Sequence, residues 1–506
     1  MRTNLVKKGA GLLAILFIAG TIFSQSQRVR PTATTEKYVR LNAASEEAKE
    51  DLDAMAKAFK IMRSMSCEDG RSWYYQGAIH NIPDGIIGAN RLCPIYETDK
   101  DSLFAWGDCT HTKTEASNLH FLLWHRMYTW HLEKIVRELS CKADFALPFW
   151  NYGSKFSVQN QLPAQFVDKE GALYASARLS LLNEGKPLAD TTIMDIREEL
   201  GVLATNNVFA GKSGFSHQLE IAPHGLMHDY IGADGVELFY NPIYQKEMSG
   251  LMANVPSAGF DPVFWLHHSM IDRIWTKWDQ SAYGERPTLE ELKAEPWAYN
   301  FIQPNGDEIT YTLEEVYAIV FNPDYVYEDV QAPAVAVVPN DKNDQVLVKP
   351  RAMLEQDPPK ETVIWKQQVG KVITDQQVIG QPRELLKQAR NFTKSSRSLE
   401  AERQLLLKLD VSVYKEIGDY YKVYVHYPEG GKADQYIGIM TFFGVSHVHD
   451  LGELHSFEEE GAKLSFTYRI ASGLIDVGEP FEIKLVKRGQ GAGNVTLESI
   501  TLSIQE

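Results

Sequence analysis

The sequence predicts a mainly α-helical domain followed by an all-β, sandwich-like domain. Three observations carry this expectation. Between about residues 43 and 280, apolar residues recur at helical spacing and histidines recur among them. Residues 331–360 contain Pro333, Pro339, Pro350, Pro358 and Pro359 around the polar run Asn340–Asp344, the composition of a linker. From residue 361 apolar and polar residues alternate, as in Tyr420–Tyr427 and Leu464–Ile470, with glycine-rich turns between such runs.

Taken in order, residues 1–26 place Arg2, Lys7 and Lys8 before the apolar run Gly9–Phe23, the layout of a secretory signal. The run is short for a bilayer span, so the expectation is an exported chain with no membrane attachment after cleavage. A first domain covers 27–330. Its helices include 43–65, with Leu52, Met55, Phe59 and Met62 on one side, and Trp73–His80. A Gly- and Pro-containing loop leads to Cys109-Thr-His111. Leu119–Val136 is long, periodic and free of Gly and Pro, and therefore helical. Short helices are expected at 163–167 and 190–200. Asp261 reads as the N-cap and Pro262 as the first residue of another helix. The linker is 331–360 and the β domain 361–506. A chain of 506 residues suits two or three domains. Its net charge of −16 disfavours nucleic acid and anionic membranes as partners. Four cysteines, Cys67, Cys93, Cys109 and Cys141, leave their pairing open.

The chemistry lies in the histidines. Ten of the fourteen fall between 80 and 268. His224 and His228 stand at i and i+4, so they leave one helix face together. His125 sits among large apolar residues and needs a partner there. His80 ends its helix. Neighbours in a helix diverge by about 100°, so only one of His267 and His268 is expected to face a given centre. The sixth ligand is open between His111 and His120. His131 and His217 read as structural, and His447, His449 and His455 as an exposed loop. Two sets of three imidazoles, without carboxylate or thiolate, suit copper better than zinc, magnesium or calcium. Two such centres about 3.5–4 Å apart hold a small molecule such as dioxygen between them, by analogy with two-metal sites.

These motifs resemble the type 3 copper proteins, which comprise tyrosinases, catechol oxidases and haemocyanins. Residues 220–228 with 261–278 resemble the second copper-binding region, with its paired histidines and the later Asp272-Arg273-Ile-Trp275. Trp73–His80, Cys109–His111 and Leu119–Glu133 resemble the first. The resemblance implies a four-helix bundle around a dicopper site that uses O2. It selects His268 from the adjacent pair, and His111 with a thioether from Cys109. The ligand set is then His80, His111, His125, His224, His228 and His268. The interval from His111 to His125 is longer than the family's, as an insertion near Thr112–Ala116 would make it, which keeps His120 as an alternative.

Residues 297–330 and 405–504 resemble the corresponding parts of plant-type polyphenol oxidases. In that group the β domain covers the active-site mouth until proteolysis. The implied function is oxidation of o-diphenols (catechols) to o-quinones, with monophenol ortho-hydroxylation as a further activity, in an enzyme latent until a protease cuts within 331–360. The alternative is a haemocyanin-like oxygen-binding protein without turnover. By the same resemblance, Glu220 holds a water near the coppers and accepts the phenol proton. Gly225 leans towards diphenols, Asp229 keeps monophenols open, and Val255 aligns with the position that gates the first copper. Arg126, Asp272 and Arg273 are read as a network orienting the helices and the ligands' second nitrogens.

Overall fold

The computed structural model describes residues 37–81, 93, 109, 115–154, 156–188, 196–204, 206–211, 213–330, 361–374, 376–380, 404–414, 419–428, 432–443, 462–470, 481–489 and 494–505. The expected signal, the linker, His111 and the histidines at 447, 449 and 455 lie outside these residues. Among the described residues, no helix is long and apolar enough to cross a membrane.

Helix α1 (Lys49–Ser64) buries Leu52, Met55, Phe59 and Met62, the stripe its periodicity predicts. Helix α2 (Trp73–His80) is capped by Ser72, whose hydroxyl accepts the Tyr75 N–H at 3.0 Å. Helix α3 runs from Glu115 to Ser140. After short turns come α4 (Arg197–Leu203) and α5 (Leu226–Ile231). Helix α6 (Val263–Asp279) starts one residue later than expected. Asp261 still accepts the Val263 N–H at 3.0 Å, but its carboxylate is shared with Arg178, and Pro262 precedes the first helical residue. Helices α2, α3, α5 and α6 form the bundle.

The stretch before α5 is not a regular helix. Glu220–Gly225 is a π-type segment in which Ala222 is extended (φ −150°, ψ 132°), followed by a cis bond to Pro223. Glu220 is therefore separated from His224 by a kink and does not continue the face carrying His224 and His228.

One buried charged network joins the helices. The Arg40 guanidinium donates to Glu133 at 2.8 Å, and to Asp272 and the Tyr327 hydroxyl at 3.1 and 3.0 Å. Arg126 donates to the other Asp272 oxygen at 2.5 Å, and the Tyr325 and Tyr327 hydroxyls donate to the oxygen that Arg40 contacts. Burial alone would raise the Asp272 carboxyl; Arg126 and Arg40 outweigh it and hold it below the usual range. Arg40 lies in strand β1 (Tyr38–Arg40), which pairs in parallel with β2 (Tyr325–Tyr327). Arg273 pairs instead with Asp329.

The second half is a sandwich of two four-stranded antiparallel sheets. Strands β3 (Glu361–Val372), β4 (Gln376–Gly380), β5 (Gln404–Val413), β6 (Asp419–His426), β7 (Gln435–Met440), β8 (Ala462–Ile470), β9 (Glu482–Gly489) and β10 (Val495–Gln505) form sheets ordered β7-β6-β9-β4 and β8-β5-β10-β3. Leu407, Leu409, Val423, Val425, Ile483, Leu485, Leu497 and Ile500 fill the space between them. The alternation puts one apolar residue in two onto the inner face.

The sandwich meets the helical half through a polar seam. Lys422 and Glu199 pair at 3.2 Å, both buried. Arg469 donates to Asn207, Gln218 to the Thr467 carbonyl, and the Thr441 hydroxyl to the Ile221 carbonyl. Ile221 packs against both cores.

Substituting Asp272→Asn leaves Arg126 and Arg40 without their shared negative partner. The expected loss is about 3–5 kcal/mol of stability, measured as a lowered Tm. Because the folded Asp272 value is depressed, its contribution is fully present above the unfolded aspartate pKa of about 4. It is lost as pH falls towards the folded value, so the gap between wild type and Asp272→Asn should narrow in acid.

Candidate metal centre

Five of the six histidines singled out as ligands lie in described residues, and the fold brings all five together. Two groups form. In one, the ring nitrogens of His224, His228, His267 and His268 lie within 4.8 Å of one another; in the other, those of His80, His125 and His268 do. His268 belongs to both. Its ring stacks on His125 at 4.3 Å between centroids and stands 5.1 Å from His224. All these side chains are buried.

The second ring nitrogen of four of them is fixed by a backbone carbonyl. His125 Nδ1 bonds the Phe121 oxygen at 2.7 Å and His224 Nδ1 the Glu220 oxygen at 3.0 Å, each four residues back. His80 Nδ1 bonds the Val255 oxygen at 2.9 Å, and His228 Nδ1 the Met252 oxygen at 2.8 Å. A carbonyl only accepts, so each Nδ1 carries the proton and each Nε2 presents a lone pair. The ligand-orienting groups are thus main-chain oxygens. The Asp272 network expected in that role holds helices together and touches no ligand nitrogen among these four. Val255, expected as a gate, is buried, and its carbonyl steadies His80.

Helical geometry leaves one of the adjacent pair for a given centre and the resemblance selects His268, yet His267 also joins the His224–His228 group. Its ring lies 4.8 Å from His228 and 5.1 Å from His268, at 72° to the latter. Two adjacent imidazoles can straddle one concave centre because each side chain reaches well beyond the helix backbone. His267 Nδ1 is tied to the Tyr152 hydroxyl at 3.1 Å. Its Nε2, and both nitrogens of His268, are buried with no hydrogen-bond partner. Burial lowers the His267 pKa to about 3. Burial, then the neighbouring imidazoles, hold that of His268 well below the usual imidazole value. Neutral imidazoles with open, buried lone pairs fit metal ions, and the all-nitrogen donor set fits copper.

His120, the alternative ligand, is engaged at both nitrogens. Nε2 donates to the Glu295 carbonyl at 2.7 Å and Nδ1 accepts from the Tyr299 hydroxyl at 2.7 Å. His131 is similarly used, by the Ile302 carbonyl and the Tyr311 hydroxyl. Cys67 and Cys93 form a disulfide. Cys109 Sγ lies 3.4 Å from His125 Nε2. Its expected partner, His111, is outside the described residues. Glu220 is buried, with His217 Nδ1 3.9 Å from its carboxylate.

The β sandwich reaches this centre. Phe443, just beyond β7, stacks on His228 with centroids 4.3 Å apart and planes 20° apart, and stands edge-on to His224 at 5.8 Å. Burial, then Asp234, hold the Asp229 carboxyl well above its usual value, against the opposing Phe442 N–H beside it.

The helical bundle and its histidine groups define a dinuclear copper protein of the type 3 class. The common central domain of tyrosinase matches residues 70–207 and 191–281 of this chain. The chain is 27% identical over 302 residues to the tyrosinase HcTyr1 of Hahella sp. (strain CCB-MM4), covering 53% of this chain and 59% of that one. It is 25% identical over 321 residues to aureusidin synthase of Antirrhinum majus, covering 58% and 52%. The chain thus spans between half and three-fifths of the length of these relatives. Latent apple tyrosinase shares the fold, with a TM-score of 0.56 at 17% identity over 94% of this chain and 98% of that one. Latent aurone synthase does so with a TM-score of 0.56 at 17% identity over 94% and 91%.

Copper reconstitution should give two ions per chain by elemental analysis. His224→Ala and His125→Ala should each reduce that to about one, and His120→Ala should leave it at two.

Proposed function

We propose that this protein is an exported copper oxidoreductase that uses dioxygen to oxidise o-diphenols to o-quinones and is latent until its β sandwich is released. The observation that carries the reading is the pair of histidine groups sharing His268, with Phe443 laid against His228. In this reading His80, His111 and His125 hold one copper and His224, His228 and His268 the other. His267 stands beside the second copper with Nδ1 tied to Tyr152. When bound, the copper pair supplies electron transfer between the phenol and dioxygen.

The residues of the chain supply the rest. The carbonyls of Phe121, Glu220, Met252 and Val255 hold the imidazoles so that little reorganisation accompanies turnover. The buried walls exclude water. Glu220 accepts the phenol proton, with His217 beside its carboxylate. Each catechol gives up two electrons and two protons, so two catechols reduce one dioxygen to two waters. Gly225 puts no side chain beside a substrate ring near His224, which supports diphenols over monophenols. Cleavage within 331–360 would free the sandwich. The basic residues and apolar run at 1–26 support export.

Copper-loaded, protease-treated protein should consume oxygen with a catechol and much more slowly with the matching monophenol. Dioxygen binding without turnover after cleavage would favour the carrier instead. Phe443→Ala removes a contact of the size of a buried aromatic side chain, about 1.5–3 kcal/mol. It should raise the protease-free rate by about 10- to 100-fold. Glu220→Gln should lower kcat about 100-fold with little change in copper content.

A further inference from the structure

Resting on the latent-oxidase reading above, we propose that Gly225 is the seat on which the β sandwich closes. The position that reads from sequence as a substrate selector then also sets how tightly the site is covered. A Cβ built at Gly225 would lie 3.2 Å from the Phe443 Cβ, 3.3 Å from the Thr441 hydroxyl and 3.3 Å from the Glu220 carbonyl. Two of these three neighbours belong to the sandwich, and the third is backbone that also holds His224 Nδ1. Backbone φ and ψ at Gly225 are ordinary helical values, −59° and −40°. Conformation therefore does not demand glycine here; close approach does.

The contacts around this point form one continuous strip. The Thr441 hydroxyl donates to the Ile221 carbonyl at 3.2 Å. The Phe442 N–H stands beside the Asp229 carboxylate, and Phe443 stacks on His228. Three consecutive sandwich residues thus grip the turn that carries both His224 and His228, with Gly225 at the centre of the grip. Any side chain at 225 must push on Thr441–Phe443, because the Glu220 carbonyl on the other side is fixed by its bond to His224. Alanine asks the strip to move by a few tenths of an ångström. Asparagine needs a volume that Thr441 and Phe443 now fill, so it opposes closure outright. An asparagine at 225 therefore cannot be tested as a change of substrate preference alone in the intact chain, since it also unseats the cover.

The test uses the copper-loaded, full-length chain with Gly225→Ala and Gly225→Asn. Amide hydrogen exchange is read over residues 435–443. The expected order of exchange is wild type, then alanine, then asparagine, rising several-fold over the segment in the alanine variant and more in the asparagine variant. The ratio of catechol oxidation before protease to that after it should rise in the same order. Exchange over 435–443 and an activity ratio both unchanged in the folded alanine and asparagine variants would overturn the proposal. If the asparagine variant does not fold, the alanine variant decides alone. Failure of the protease-treated wild type to oxidise catechol would sink the oxidase reading, while the exchange order would still report on the seat.

Discussion

The helical half of this protein is arranged around the problem of keeping buried imidazoles neutral and pointed the right way. An imidazole in an apolar interior needs a partner for its N–H and a use for its lone pair. Helices offer few spare acceptors, because most of their carbonyls already bond N–H groups of the next turn. The fold finds them in two ways. His125 and His224 share the oxygen one turn back in their own segments. His80 and His228 take theirs from the irregular stretch Met252–Val255, which thereby ties one histidine of each group to a single short piece of chain. The π-type distortion at Glu220–Gly225 belongs to the same solution, since it places the Glu220 carbonyl where His224 needs it.

The sequence showed the helices and most of the centre because both depend on spacing. The i, i+4 histidines, the apolar stripe of α1 and the alternation of the β strands are local patterns, and local patterns survive in a linear string. What it could not show depends on depth and on long-range approach. The helical angle admits one of the adjacent pair to a given centre and the resemblance names His268; that His267 reaches the same group depends on side-chain reach. Tyr152, which anchors it, carries no signal of its own 115 residues away. Phe443 looks like one more aromatic at a strand end, until the sandwich is docked on α5. The charged cluster Arg40–Glu133–Asp272–Arg126 was half legible: Arg126 and Asp272 stood out, but Glu133 and Arg40, the latter arriving from a three-residue strand, did not.

The two halves are joined more by polar groups than by a shared core. Each has its own apolar cluster, and Tyr420, Ile439 and Ile221 are among the few apolar side chains reaching across. Around them stand the buried pair Lys422–Glu199 and hydrogen bonds to main-chain carbonyls. Such a surface is specific in register yet modest in hydrophobic driving force.

The parallel pairing of Tyr38–Arg40 with Tyr325–Tyr327 has a mechanical meaning. It clasps the entry and the exit of the helical half side by side, and Arg40 and the two tyrosines lock that clasp onto Asp272 inside α6. A chain severed beyond Val330 would therefore lose its sandwich without fraying backwards. The knot that closes the bundle lies wholly within the helical half, so that half holds its own ends together without help from the sandwich.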